Sequence, residues 1–407
     1  MSFLPLSIEL SSTLDGQYRK KQGIFFTPKP IRETLLQSYP PISVTDRILE
    51  PSMGSGEFVH DLLQIHPNLS VTGIEYSKLI YDRVCQMPWI TGVHTIHADF
   101  LTHEFGETRF DQIIGNPPYF QMTTDKAKYR KQYPILGGKF DIYILFILKS
   151  ISLLTPGGVL KFVIPSSFLS TDSYEPVRKY IATEMTILNI FDFSNGNQGW
   201  LHTAQKTIGL VIQNTHPTQM TNHPFTLWLN DVCYLHTRES IQVLSALVKN
   251  CDHTLGQLGF VIKTGEVVWN TAKERLTEDS SQPLLIHNAY LKDNQLQVPT
   301  EQGHRPLYIN DSEYPNQRIT EPVILVNRGN GNNGNLRVAF VYFDPQEYPG
   351  SAIAENHIYK IYDNGQNQLR QLYQSLCDPL TTQFIQTCIG SGFLTKKFIQ
   401  LLPVWNI

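Results

Sequence analysis

The chain predicts an α/β fold: a seven-stranded, doubly wound, mostly parallel sheet followed by a mixed α+β domain. Three observations carry that expectation. Strand-like apolar runs alternate with amphipathic helical segments through the first half, the pattern of parallel strands joined by crossover helices. Those runs end in glycines, acids or an amide, where ligands meet the carboxyl ends of such strands. Past His216 the alternation gives way to short β-like pieces.

The strand-like runs are RILEPS (47–52), LSVTGIEY (69–76), GVHTIHAD (92–99), FDQIIGN (110–116), VLKFVIPS (159–166), ILNIFDFS (187–194) and KTIGLVIQ (206–213). Between them EFVHDLLQIH, KLIYDRVCQM, FDIYILFILKSISLLT and YEPVRKYIATEM carry apolar residues at helical spacing, and Pro156-Gly157-Gly158 stops the third. HPTQMTNHP (216–224), rich in Pro, Asn and Thr, reads as a linker. Beyond it come β-like FTLWL, FVIKTGEVVW, PVILVNRG, LRVAFVYF and HIYKIY, one helix (SIQVLSALVKN) and a Gly/Asn loop, RGNGNNGN (328–335). The expected domains are 1–215 and 225–407, and 407 residues exceed a single core, which stops growing at roughly 250 to 300 residues.

Composition is globular, with 41% apolar and 17% charged residues. The longest strongly apolar run, IYILFIL (142–148), ends at Lys149, far short of the ~20 residues of a membrane span. The opening MSFLPLSIELSS lacks a basic segment ahead of an apolar stretch and does not read as a signal peptide. Five scattered cysteines (Cys85, Cys233, Cys251, Cys377, Cys388) form no C-x-x-C pair, and histidines such as His94 and His97 no metal-ligand spacing, so a cytoplasmic chain without metal is expected. Net charge is −3, which gives no bulk attraction for nucleic acid. The dense basic clusters are YRKK (18–21) and KAKYRK (126–131), and such runs are ordinarily solvated surface.

The first strand ends in LEPSMGSGEF (49–58), where Gly54 and Gly56 let the chain turn tightly into a helix whose free N–H groups face a ligand. Glu75, at the end of the second strand, lies about twenty residues beyond, where an acid accepts ribose hydroxyls in dinucleotide-type folds. At the third strand's end, Asp99 and Phe100 pair an acceptor with an apolar ring, a clamp for adenine. The fourth ends in IIGNPPYF (113–120), whose prolines end the strand at Asn116.

Asn116-Pro117-Pro118-Tyr119 fits the (D/N/S)-P-P-(Y/F/W) signature of the amino-methyltransferases that use S-adenosylmethionine. QGIFFTP (22–28) upstream resembles the segment that closes over the cofactor's methionine end in gamma-class, Taq-like DNA adenine-N6 methyltransferases. The order of cofactor motifs, N-P-P-Y and trailing domain is also that of the class. The resemblance covers residues 18–213, and more loosely the rest through IKTGEVVWN, ILVNRG, AENHIYKI and LTKKFIQLLPVW. It implies a Rossmann-like methyltransferase domain and a target-recognition domain acting, as a monomer, on double-stranded DNA.

The resemblance also implies roles. Asn116 and the Pro117 carbonyl accept from the adenine amine, and Tyr119 stacks on a base flipped out of the duplex. Trp200, or His202 two residues later, supplies the second stacking ring. Thr27, Glu50, Pro51, Met53, Tyr76, Pro118 and Phe146 join Gly54, Gly56, Glu75, Asp99, Phe100 and Asn116 around the cofactor. In the second domain Lys263, Trp269, Arg328, Arg337, Lys396 and Lys397 are candidate DNA contacts. The competing readings are an RNA adenine or a protein glutamine methyltransferase of the same N-P-P-Y chemistry, or a DNA-binding accessory protein with a degenerate catalytic domain. The two expected domains leave no room for a nuclease, so if the chain belongs to a restriction-modification pair its endonuclease is another chain; otherwise it is an orphan.

Overall fold

The computed structural model describes residues 2–138, 140–194, 200–201, 206–217, 223–249, 251, 253–299, 306–310, 312, 314, 316–329, 337–348, 350–389 and 393–405. Two compact units divide the chain, Met1–Ile241 and Gln242–Ile407.

In the first unit, seven strands of the described residues form one sheet: β1 (Arg47–Glu50), β2 (Ser70–Glu75), β3 (His94–His97), β4 (Phe110–Gly115), β5 (Leu154–Pro165), β6 (Thr186–Asp192) and β7 (Thr207–Gln213). Their order is β3-β2-β1-β4-β5-β7-β6. β1 to β5 are parallel, whereas β7 runs antiparallel to both β5 and β6. The chain steps outward from β1 to β3 and then restarts at β4 on the other side of β1. That reversal opens a crevice beyond the carboxyl ends of β1 and β4.

Eight helices of this unit position the site: α1 (Pro5–Thr13), α2 (Gly16–Gln22), α3 (Lys29–Leu36), α4 (Glu57–Ile65), α5 (Lys78–Val84), α6 (Lys126–Gln132), α7 (Ile142–Leu153) and α8 (Glu175–Glu184). The central parallel strands β1, β4 and β5 are largely buried because helices cover both faces of the sheet, whereas β3 at its edge is not. One buried cluster gathers Leu49, Ile113, Leu160 and the α7 residues Ile144, Leu145 and Ile147; the other gathers Ile31, Leu35, Ile48, Val59 and Leu62.

Two expectations change. β5 begins at Leu154 and runs through Pro156-Gly157-Gly158, which the sequence reads only as a helix stop; the register slips between Phe110 and Gln112 to take up the extra residues. The division between units falls after the expected linker at 216–224. The hairpin of β8 (Thr226–Leu229) and β9 (Val232–Leu235) packs on the first unit: buried Arg178 donates to the carbonyls of Phe168 (2.8 Å), Thr171 (2.9 Å) and Cys233 (3.4 Å), and Phe225 and Leu235 join its core.

The second unit is mixed α+β. Strands Val261–Thr264, Ile358–Tyr362, Val323–Asn327 and Phe340–Phe343 pair antiparallel in that order, so four β-like runs of the sequence make one sheet. A smaller sheet of short strands and the helices Leu369–Leu376 and Pro379–Ile389 accompany it. Among the described residues no helix is long and apolar enough to cross a membrane.

Candidate active site

A cavity of about 340 Å³ lies at the carboxyl ends of the parallel strands. Its walls bring together Thr27, Glu50, Pro51, Met53, Gly54, Glu75, Tyr76, Asp99, Phe100, Asn116, Pro118 and Phe146, all the expected cofactor residues but Gly56. A Cβ on Gly56 would stand 2.3 Å from the Trp89 ring, and its φ is +79°. The residue lets the chain turn into α4 against that indole, which a spacing argument cannot distinguish from ligand approach.

Glu75 ties the ends of β1 and β2. Its carboxylate accepts from the backbone N–H of Gly54 (2.9 Å) and of Ser77 (2.7 Å). Burial pushes its pKa up to about 7, against the pull of those donors. Glu50 is 2% exposed, and its Oε2 has no hydrogen-bond partner among the described residues. Burial raises its pKa well above the ordinary carboxyl range. An orphaned carboxyl oxygen on a cavity wall is costly unless a ligand's N–H or cation meets it. Thr27 is held by its carbonyl, which accepts from buried Arg32, itself paired with Glu57 (2.9 Å) and Asp61 (2.7 Å).

Phe100 and Phe146 stand with ring centroids 4.8 Å apart, so Phe146 is at once core of α7 and cavity wall. Lys149, the residue that closes the apolar run of α7, donates to the carbonyls of Phe100 (2.6 Å), Leu101 (3.2 Å) and His103 (2.6 Å). It therefore fixes the turn bearing Asp99, whose Oδ1 accepts from the Leu101 N–H at 2.9 Å.

At the end of β4 the Asn116 Nδ2 donates to the Phe25 carbonyl at 3.0 Å. A carbonyl can only accept, so this contact fixes which way the amide faces and commits Oδ1 to accepting. That oxygen meets the Tyr119 hydroxyl, which also lies 3.0 Å from the Val163 carbonyl. Ser52 Oγ donates to the Asn116 carbonyl at 3.1 Å, joining the turn after β1 to the loop. Gly23, at φ +67°, ends α2 so close to the same loop that a Cβ there would stand 2.6 Å from the Tyr119 nitrogen. The segment 22–28 is thus packed directly on N-P-P-Y.

Pro117 is buried, and neither it nor Tyr119 lines the cavity. The Tyr119 ring stacks on Phe25 (centroids 6.1 Å apart, 22° between planes), and burial of its hydroxyl pushes the phenol pKa well above its usual value. Trp200 also lies off the cavity walls; its indole packs against the cluster containing Phe26, Ile114 and Phe193, with Nε1 unpartnered among the described residues. His202 and residues 330–335 of the Gly/Asn loop lie outside the described residues.

In the second unit, exposed Lys263 lies over the Tyr362 ring (4.8 Å), and Trp269 stands edge-on to His287 (6.3 Å). The Arg328 guanidinium lies over Tyr359 (5.5 Å), its Nε buried and unpartnered among the described residues. Arg337, Lys396 and Lys397 are exposed.

Sequence reasoning missed Phe25, Arg32, Lys149 and Gly23. Only Lys149, a lone cation in an apolar run, carried a local signal.

The strand order, the glycine turn and the acids at successive strand ends define the class I methyltransferase type of fold. Residues 83–200 match the family described as Eco57I restriction-modification methylase. The chain is 25% identical, over 99% of both chains, to "Modification methylase CviBIII" of Paramecium bursaria Chlorella virus NC1A. It is 26% identical, over 98% of both, to "Type II methyltransferase M.CvrRI" of Paramecium bursaria Chlorella virus XZ-6E. Over 150 residues, 34% of this chain and 33% of the relative, it is 35% identical to "Type II methyltransferase M.TthHB8I" of Thermus thermophilus. Among solved structures, the cryoEM structure of a DrdV-DNA complex is similar in fold, with TM-score 0.52 and 12% identity over 88% of this chain and 50% of that one. The methylase relatives, similar from end to end, support a methyltransferase of the restriction-modification kind, and the likeness to the DrdV complex is one of fold alone. Fold and full-length relatives imply S-adenosylmethionine as the methyl donor, and the unpaired Glu50 oxygen beside Glu75 suits that group's cationic amine and ribose hydroxyls.

Proposed function

We propose that the chain is a site-specific DNA adenine-N6 methyltransferase that acts on a flipped-out adenine in duplex DNA, as the modification partner of a separate endonuclease or alone. The observation that carries this reading is the committed Asn116 amide: with Nδ2 spent on Phe25, Oδ1 is an acceptor at the edge of the cavity that holds Glu50, Glu75 and Asp99. The methylase relatives, similar from end to end, support it.

Bound in the cavity, S-adenosylmethionine would supply an electrophilic methyl group on a sulfonium. Glu50 would hold its amine, Glu75 its ribose, and Asp99 with Phe100 its adenine. The chain's own task is to make a poor nucleophile competent. The lone pair of adenine's exocyclic amine is delocalised into the ring, and acceptors on both its hydrogens favour a pyramidal nitrogen with a directed lone pair. Asn116 Oδ1 and the Pro117 carbonyl are those acceptors. A strong base is unnecessary, because the methylated amine is acidic and releases its proton to solvent; positioning and hydrogen-bond polarisation supply most of the rate. The prolines keep the acceptor loop in one shape. In this reading Tyr119 and either Trp200 or His202 face the extruded base, and Gln242–Ile407 reads the DNA sequence with Lys263, Trp269, Arg328 and Arg337 among its contacts.

Expression in cells that lack adenine methylation, followed by single-molecule sequencing, tests the reading. N6-methyladenine confined to one short motif is expected. Unmodified DNA, with methyl groups found on RNA adenine or on a glutamine amide, would overturn it.

A further inference from the structure

The two basic clusters that the sequence left as plain surface converge on the same opening. α2, GQYRKKQ, carries Arg19, Lys20 and Lys21, and α6, KAKYRKQ, carries Lys126, Lys128, Arg130 and Lys131; neither helix contains an acid. They lie about a hundred residues apart in sequence. Yet Tyr18 and Gln22 of α2, and Asp125 and Tyr129 at α6, stand in the wall of the one cavity that holds Asn116. α2 is locked to the N-P-P-Y loop through Gly23, and α6 begins seven residues after Tyr119.

Lys20, Lys21, Lys128, Arg130 and Lys131 are exposed. Among the described residues none of the seven cations has a carboxylate at ion-pair distance. Two acids stand at the N-caps of these helices: Asp15 accepts from the N–H groups of Gln17 and Tyr18 at 2.9 Å, and Asp125, on the cavity wall, makes no side-chain cap hydrogen bond, so the seven cations outnumber the acids beside them. A chain of net charge −3 therefore concentrates unneutralised positive charge beside its pocket. Charge gathered at a cleft steers a polyanion there even when the whole molecule is acidic.

We infer that α2 and α6 form a two-sided rim that grips the phosphates of duplex DNA flanking the nucleotide drawn into the pocket. The inference rests on the DNA reading above and assigns the first unit a share of the DNA footprint separate from the second. Such contacts position the duplex and carry no sequence information. Arg130 also holds the loop after α6 through the carbonyls of Gly137 (3.2 Å) and Gly138 (2.5 Å), so the test leaves it in place.

The experiment measures anisotropy of a labelled duplex of about 30 base pairs, from about 50 to about 200 mM salt, against the full chain. It compares the wild type with Lys20→Gln/Lys21→Gln, Lys128→Gln/Lys131→Gln and a control, Arg109→Gln, which precedes β4 at the end of the strand opposite Asn116. Each neutralised phosphate contact contributes about 0.9 to the slope of log affinity against log salt, so each double variant loses about 1.8. At the lowest salt its affinity falls at least about tenfold, while cofactor affinity and thermal midpoint stay at wild-type values and Arg109→Gln changes nothing. Wild-type slopes in both double variants, from a protein that still methylates DNA, overturn the rim and leave the enzyme reading intact. Tighter, rim-dependent binding of a single-stranded RNA of equal length overturns it in favour of RNA. A wild type that neither binds nor methylates DNA overturns the reading and the rim together.

Discussion

The hydroxyl of Tyr119 faces two acceptors, the side-chain oxygen of Asn116 and the carbonyl of Val163. A phenol has one proton to give. In the proposed reaction the adenine amine would approach Oδ1, and Tyr119 would then turn that proton to Val163 without leaving either oxygen stranded. Tyr119 thereby holds the amide in position, beyond any role of its ring.

Tyr119→Phe keeps the ring and removes the proton, leaving buried acceptors short of a donor at about 1–3 kcal/mol. Single-turnover methyl transfer is expected to slow by roughly tenfold or more, with cofactor affinity within a few-fold of wild type. A wild-type rate would confine Tyr119 to stacking.

Cofactor affinity should rise with pH through about 7. In the proposed role Glu75, whose pKa burial raises to about 7, would accept the ribose hydroxyls poorly when protonated below that value and fully as a carboxylate above it. Glu75→Gln should flatten the profile. Glu50, also shifted upward, should lose its proton when a cationic amine binds beside it, so calorimetry near pH 6 in two buffers of different ionisation heat should register proton release. Uptake of protons would contradict both assignments.

Lys149→Met removes the cation that ties down three carbonyls around Phe100. Hydrogen bonds to charged groups are worth about 1.5–3 kcal/mol, shared here between fold and site. A lower thermal midpoint and weaker cofactor binding are expected, with little change in the rate at saturating cofactor. An unchanged dissociation constant would separate this turn from the adenine end of the pocket.

Gly23→Ala introduces a Cβ 2.6 Å from a backbone nitrogen at a residue with φ of +67°. Strain at such a position exceeds about 1 kcal/mol and bears on the N-P-P-Y loop itself. Lower stability together with slower transfer is expected; loss of stability alone would detach this contact from the chemistry.

The sheet was legible because its strands are apolar runs bounded by Gly, Pro and acids, and the order of strand ends then placed Gly54, Glu75, Asp99 and Asn116 together. Local signals failed where a distant partner decides the outcome. Gly56 resembles a ligand-facing glycine until Trp89 is seen against it. The β8–β9 hairpin looks like the start of a second domain until Arg178 draws its backbone onto the first unit. Short basic α2 and α6 have too little apolar periodicity to announce themselves as helices, and their shared cavity depends on the fold alone. Phe25 contributes through its carbonyl, which its side-chain type does not reveal.

The most direct measurement incubates the protein with duplex DNA and S-adenosylmethionine labelled in its methyl group, digests the DNA, and identifies the labelled nucleoside for the wild type and for Asn116→Ala. Label on N6 of deoxyadenosine is expected with the wild type, and none with Asn116→Ala despite cofactor affinity within a few-fold of wild type. Label on a cytosine, or undiminished labelling by Asn116→Ala, would contradict the proposed reaction.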